Sequence, residues 1–591
     1  MLAFAVAVFV AAGVFFLTWD LLDARGLEPQ RRIDSQTLFD MVKLAFGVVA
    51  GAGALVALVV AYRRQRVDED AALRDATRLH TERFTTAVSQ LGEEPAAVRL
   101  GGVHALAGLA DDAPTDALRQ TAIDVLCAYL RLPYTAEADL PAGDADARRT
   151  YLALREVRHT VIRLIRDHLR LPLGHPHSWQ GHDLDFTGVT FDGGDFSRAT
   201  FCGAGVRFSG AVFAAGTLDL SGAVFSADAV DFVGAQFAGG AVLFVGAAFS
   251  GGMVTFRGAT FSGGTVHFNG AVFSTGAANF AEVSFSGGTV HFSEAKFPSG
   301  TAEFAGALFS GGKVGLVGAE FSGGTVSFAG AVFSGGDVDF RWAAFSGGTV
   351  TFVGASLTGG SILFGRTVFA LGTVDFSLAE FAGSWVDFRE AQFPGASVRF
   401  RQAVFTGPAI DFTGASFCGS VVDFHRAVFS GGSALDFTQA HFAAGTIEFS
   451  EVHFAAGTVR FIDAAFSGCD VDFREAALCG GTLTFTRVAL SGGTVGFNGA
   501  HVTDGTIGFD GATVSGGALD FIGVTFSGGT LGFSGAVFSD GVVDFLSSVF
   551  SGCAVDFSAA TGPVPRNLLG TGAAAVPAGV VLPAHWQPPG P

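Results

Sequence analysis

The sequence predicts a mainly β chain wound as a solenoid, on three observations. Phenylalanine recurs at alternating steps of seven and five residues, in register from Phe201 through Phe213, Phe225, Phe237 and Phe249 to Phe429, so the unit is twelve residues. Within the unit that starts at Phe261, Val266 and Phe268 stand two apart, as do Ala271 and Phe273. That spacing puts each pair on one face of an extended segment. The modules are separated by Ser-Gly-Gly-Thr-type inserts, whose glycines suit corners because they accept positive φ and close backbone approach. Fixed-period self-similarity of this kind marks a stacked-repeat fold.

A helix does not fit. Five and seven residues are about 500° and 700° of α-helix, which would scatter the rings around its axis. Each Gly would also cost such a helix about 1 kcal/mol. A chain that turns a corner after every module instead puts every ring inside, and burying one Phe is worth about 1.5–3 kcal/mol. The repeat region holds 56 of the 63 Phe, so its core needs neither metal nor disulfide. Leu220, Leu316, Leu357, Leu478, Leu490, Val502 and Val514 replace Phe at single steps, and one extra residue falls between Phe429 and Phe437.

The opening of the repeat is undiluted: Leu184-Asp185-Phe186-Thr187-Gly188, Val189-Thr190-Phe191-Asp192-Gly193, Gly194-Asp195-Phe196-Ser197-Arg198, Ala199-Thr200-Phe201. It resembles the pentapeptide-repeat family. The resemblance implies a right-handed quadrilateral parallel β-helix over residues 172–560. The seven-residue step in every second module departs from the family pattern. Sides of five, seven, five and seven give about 24 residues per coil, and some fifteen coils at about 4.8 Å make a rod about 70 Å long. Arg83 to Gly92, Val98 to Leu106, Glu156 to Arg170 and Ser178 to Gly181 resemble the segments that precede the repeats in actinobacterial membrane-anchored pentapeptide-repeat proteins. That resemblance implies architecture and no activity.

Ahead of the repeats the chain divides further. Residues 1–19 and 41–62 are apolar runs long enough to span a bilayer, the second broken only by Lys43. A cleaved signal peptide is the rival reading of the first run, which lacks a basic start and an Ala-x-Ala site. Arg63, Arg64 and Arg66 follow the second run directly, whereas the loop at 20–40 mixes both signs. The positive-inside rule then places the bulk of the chain in the cytoplasm, with 20–40 as a short extracytoplasmic loop and residues 1–62 as the lipid contact of a two-span membrane protein. Residues 63–171 are poor in Gly and rich in Arg, Leu and Ala, and predict helices at about 68–91, 96–110, 115–131 and 146–170. Thr115 reads as a helix start and Pro133 as a stop. An open β-helix end exposes unpaired N–H and C=O groups, so the helix ending at Leu171 is the expected cap. The Pro/Gly/Ala-rich tail, 561–591, either folds over the last coil or stays loose.

Net charge is −19, with 20 Lys+Arg against 22 Asp+Glu in residues 1–180 and 15 against 32 beyond. An acidic rod argues against direct binding of nucleic acid or anionic lipid by the repeats. On a 24-residue coil, Asp375, Asp423, Glu448, Asp472, Asp520 and Asp544 share one side, interrupted by Arg399 and Gly496, and form a candidate partner-binding face. Asp387, Asp411, Asp436 and Asp556 line the opposite side with Arg460 among them. Rows of this kind either solvate the rod or imitate a phosphate backbone for a basic partner. Some pentapeptide-repeat proteins associated with quinolone resistance are acidic rods that bind DNA gyrase, which gives a DNA-mimic alternative. The six Cys are scattered and form no metal-type pair, which suits a reducing compartment.

The spacing of His175, His177, His182 and Asp183 would suit zinc, but they fall at a domain junction. His267 and His291, 24 apart, stack on one outer face if the coil length is right. The chain has no Gly-x-Ser-x-Gly, no His-Glu-x-x-His and no phosphate loop. A carbohydrate-active β-helix, the remaining alternative, needs long irregular loops to build a cleft, and these inserts are nearly uniform. The sequence therefore predicts no cofactor, no metal and no catalysis. It predicts a membrane-anchored scaffold that displays rigid faces to a protein partner it does not identify.

Overall fold

The structure, a computed structural model, describes residues 9, 12–13, 15–17, 19–21, 32–137, 140–203, 205–274, 277–299, 301–407, 410–568, 576 and 578–587. Most of the first apolar run and residues 22–31 of the loop 20–40 lie outside these residues; those described between 9 and 21 are helical. The chain forms two compact units, residues 1–85 and 86–591.

In the first unit a single helix, α1 (Ser35–Leu91, which continues into the second unit), is the one helix among the described residues long and apolar enough to cross a membrane. None of its apolar window is buried. The helix runs through residue 62 without a break, so the second apolar run and the helix expected at about 68–91 are one element. The reason is local: Arg63 to Glu82 contains neither Gly nor Pro, so nothing stops propagation when the composition turns polar.

In the second unit, α2 (Ala96–Asp111), α3 (Asp116–Arg131) and α4 (Ala145–Leu169) match the expected helices. Thr115 caps α3 by accepting the Leu118 N–H, and Asp144 caps α4 by accepting from Asp146 and Ala147. The buried stripes are Ile123, Leu126 and Leu130 on α3 and Val161, Ile165 and Leu169 on α4. Gly102 is required by packing: a Cβ there would lie 2.8 Å from the Ala87 carbonyl oxygen.

Residues from Leu184 onward form a parallel β-solenoid whose strands run in four columns. One sheet has 16 strands, one per coil; a second of 15 lies beside it; the other two columns merge into a sheet of 31. Register sets the coil length directly. Thr265, Val266 and His267 pair with Thr289, Val290 and His291, 24 residues on. The first coil is shorter: Leu184 pairs with Val206 and Thr190 with Val212, 22 residues on. Its step from Phe191 to Phe196 is five residues where later coils take seven, so it lacks one insert. The extra residue after Phe429 lengthens one coil to 25, since Val428 pairs with His453 while Val404 pairs with Val428 and His453 with Ala477 at 24. It is absorbed in a single turn at Ser430–Ser433, where Gly431 takes φ 61°.

The rings fill the interior as columns. From Phe208 to Phe545 fifteen phenylalanines stack at 4.6–5.1 Å between centroids. A second column crosses it edge-on, as where Phe256 meets Phe268 at 5.8 Å and 90°. Stacked and edge-to-face contacts both suit the ring quadrupole, adding about 0.5–1.5 kcal/mol per pair beyond area. The insert glycines are explained by the coil beneath: a Cβ on Gly264 would sit 2.3 Å from the Gly240 oxygen.

Both ends are closed. At the start, long side chains of the helices reach carbonyls of the first coil: Gln120 Nε2 to Asp183, Arg131 Nη1 to Asp185, Arg158 Nη2 to Thr190 and Arg170 Nε to Ser197. At the far end the tail folds over the last coil, one of the two expected outcomes. Thr561 pairs with Val537, Arg566 with Asp544, and Val580–Val581 with Val555–Asp556, which lays part of another turn on the last coil. Trp586 covers it, 5% exposed, with its ring 5.5 Å from Phe557 and its Nε1 donating to the Gly562 carbonyl. The Pro residues there end the regular repeat without ending the pairing.

Candidate interaction faces

The candidate acidic face is one column. Asp375, Arg399, Asp423, Glu448, Asp472, Gly496, Asp520 and Asp544 pair consecutively in register. The other row, Asp387, Asp411, Asp436 and Arg460, is equally continuous and reaches Asp556 through Thr484, Gly508 and Gly532. Each of these residues ends a strand just before a core position and a tight turn. The turn after Phe376 shows the reason for an acid there. Ala379 N–H bonds the Phe376 carbonyl, Leu378 takes φ 61°, and the Ser377 N–H is accepted by Asp375 Oδ1 at 2.9 Å.

The same bond to the second residue on is made by Asp423, Asp472 and Asp544, and on the other row by Asp387, Asp411, Asp436 and Asp556. Thr255, Asn279, Ser327 and Thr351 make it with uncharged oxygens. The position thus selects a short side chain that accepts, and a carboxylate is one solution. Several carboxylates are engaged twice: Asp423 also binds Arg401, Asp472 binds Arg474 Nη2 at 2.6 Å, and Asp387 binds Arg389. The Asp423 and Asp387 side chains are only 3% and 4% exposed. Asp520 differs. Burial and its in-register neighbour Asp544 both push its carboxyl upward, so charge on this face is partly self-limiting.

Corner residues on the rod form vertical ion pairs between coils. Arg366 bonds Glu390 at 2.7 and 3.2 Å while its guanidinium lies 4.9 Å from the Trp342 ring. Arg426 with Glu451 and Arg487 with Asp463 repeat the arrangement. His267 and His291 stack at 4.9 Å and 16°. The four residues of the zinc-like spacing are not brought together: His182 bonds Gln120 and His175 accepts the His177 N–H. Among the described residues no group of three metal-type ligands occurs.

Sequence reasoning missed one cluster, at the shortened corner of the first coil. Asp192, 3% exposed, accepts from Tyr134 Oη at 2.5 Å and Tyr151 Oη at 2.8 Å, and lies 3.2 Å from both His159 Nε2 and Arg155 Nε. Burial alone would raise this carboxyl; the bonds from His159, Tyr134 and Tyr151 outweigh it and hold the group far below the ordinary range. The signal was available as a five-residue step at Phe191–Phe196 facing a helix with Arg155, His159, Arg163 and Arg166 at helical spacing.

The architecture is that of a parallel β-solenoid repeat protein. No family model and no curated protein matches the chain. Among solved structures it is similar to HetL, a pentapeptide repeat protein involved in heterocyst differentiation regulation from the cyanobacterium Nostoc sp. strain PCC 7120. Identity is 14% over 40% of this chain and 85% of that one, with a TM-score of 0.11.

Proposed function

We propose that this is a membrane-anchored pentapeptide-repeat protein that acts as a non-catalytic scaffold or docking surface for another protein. The observation that carries the reading is the uniformity of the wall: coil after coil presents the same short strands and corners, closed at both ends, which suits display of long rigid faces. The apolar window of α1 supports anchoring, because it is unburied and long enough to cross a bilayer. The basic run Arg63, Arg64 and Arg66 supports a cytoplasmic rod. On this reading residues 1–19 supply a second span.

The acidic column supports the DNA-mimic alternative less than its sequence suggested, because many of its carboxylates already serve turns and arginines. The same uniformity of the wall weighs against a carbohydrate-active site. Crosslinking and pull-down from membranes, with the full chain and with residues 1–66 removed, tests the reading. A membrane protein partner lost on truncation is the expected result. Recovery of a basic DNA-handling enzyme such as gyrase, independent of residues 1–66 and broken by salt, would favour the alternative.

A further inference from the structure

The first coil differs from every later one at a single corner. Where others carry a step of seven residues, or of eight from Phe429 to Phe437, it runs Phe191-Asp192-Gly193-Gly194-Asp195-Phe196. The missing insert leaves a cavity of about 410 Å³ between that corner and one face of α4. Its lining includes Arg155, His159, Arg163 and Arg166 from the helix and Gly193 and Gly194 from the corner. Both glycines have positive φ and contribute no side chain to the space.

Carboxylates offset part of this charge and leave Arg163 over. Glu156 and Asp195 also line the cavity, but Asp195 is occupied by Arg166 and by the N–H and hydroxyl of Ser197. Asp192, behind the corner, is engaged by two tyrosines, His159 and the Arg155 guanidinium. Arg163 has a 3.4 Å contact with Thr160 Oγ1 and no carboxylate partner among the described residues. Arg155 Nε is buried and, although 3.2 Å from Asp192, has no hydrogen-bond acceptor. Guanidinium donors are thus presented around a recess wide enough for a small anion.

We propose that this cavity binds a phosphate group, held by Arg163 and Arg155 with Arg166 and His159 beside it. A tetrahedral dianion fits better than a carboxylate. It offers acceptors in several directions at once, and forked guanidinium donors match it. The site goes beyond the docking role and does not depend on membrane anchoring. The chemistry is shared by free phosphate compounds and by a lipid headgroup, so the test has two arms.

The full-length chain in detergent is titrated calorimetrically with inorganic phosphate, and separately with dihexanoyl phosphatidate below its micelle concentration, at constant ionic strength. The expected result is saturable binding at one site in at least one arm, weakened about tenfold or more by Arg163→Gln and unchanged by Arg148→Gln. Arg148 lies on the same helix away from the cavity, so it controls for general charge. A preference for the first ligand indicates a soluble phosphate compound, and for the second a headgroup. Absence of saturable binding in both arms, or equal affinity for wild type and Arg163→Gln, overturns the proposal. Since Arg163 is exposed and holds no structural carboxylate, its variant should keep the wild-type melting temperature. Phosphate should raise that temperature only in chains with Arg163.

Discussion

Phe376 sits mid-column with no exposed surface, so truncating it tests whether the rings hold the solenoid together. Its ring stacks on Phe352 at 4.6 Å and Phe400 at 5.1 Å, and meets Phe388 edge-on at 6.1 Å and Phe381 at 5.8 Å. Phe376→Ala removes all four contacts and leaves a hole that the coils above and below are too regular to close. The expected cost is about 3–5 kcal/mol. Because each coil touches only its neighbours, the loss stays local and should divide a cooperative rod into two segments. Urea unfolding followed by circular dichroism is expected to broaden or split. Hydrogen exchange should rise first in the strands around 352, 376 and 400 and leave both ends protected. Phe376→Leu should cost about 1–1.5 kcal/mol, since Leu220 and Leu316 already occupy single core steps of this kind. An Ala variant that unfolds with the wild-type midpoint, or that loses protection evenly along the rod, would refute the stacked-core reasoning.

Three further outcomes follow from the ends of the solenoid. Arg158, 3% exposed, bonds the Leu130 and Thr190 carbonyls; Arg158→Ala should cost about 2–5 kcal/mol, read as a lowered urea midpoint. Trp586→Ala, or a stop after Ala560, should uncover the last coil and produce concentration-dependent oligomers by light scattering; a monomer with unchanged melting would argue that the final turn is ornamental. Asp192 has a folded pKa below its unfolded one. Its contribution is therefore full above the unfolded value of about 4 and is lost as pH falls below it toward the folded value. Denaturation between pH 5 and 2.5 should show wild type converging on Asp192→Asn as pH drops, with the gap widest at pH 5.

The repeat was legible because its determinants are local and periodic. The Phe spacing, the two-residue alternation and the Gly pairs each specify strand or corner alone, and together they set the coil length that His267 and His291 display. Helices α3 and α4 were legible from the Thr115 cap and their apolar stripes, and α2 from composition alone. The acidic column was legible as a row but not in its meaning. Whether Asp375 faces a partner or its own turn depends on the Ser377 N–H, which no pattern of charges reveals. The final turn was one of two outcomes open for the tail, and the pairing of Arg566 and Val580 with the last coil decides between them. The Asp192 cluster gathers residues from Tyr134, α4 and the first coil, and such long-range convergence leaves only a faint trace in sequence.

The single 25-residue coil carries a consequence for how such a chain changes over time. The surplus residue is contained in one corner, and the pairing on either side returns to its regular interval. Slippage is therefore repaired within one storey of the stack and is not passed along. Gain or loss of a whole storey would disturb neither closing piece. The reach of this molecule is thus a quantity that duplication can tune while its foundations and roof stay the same.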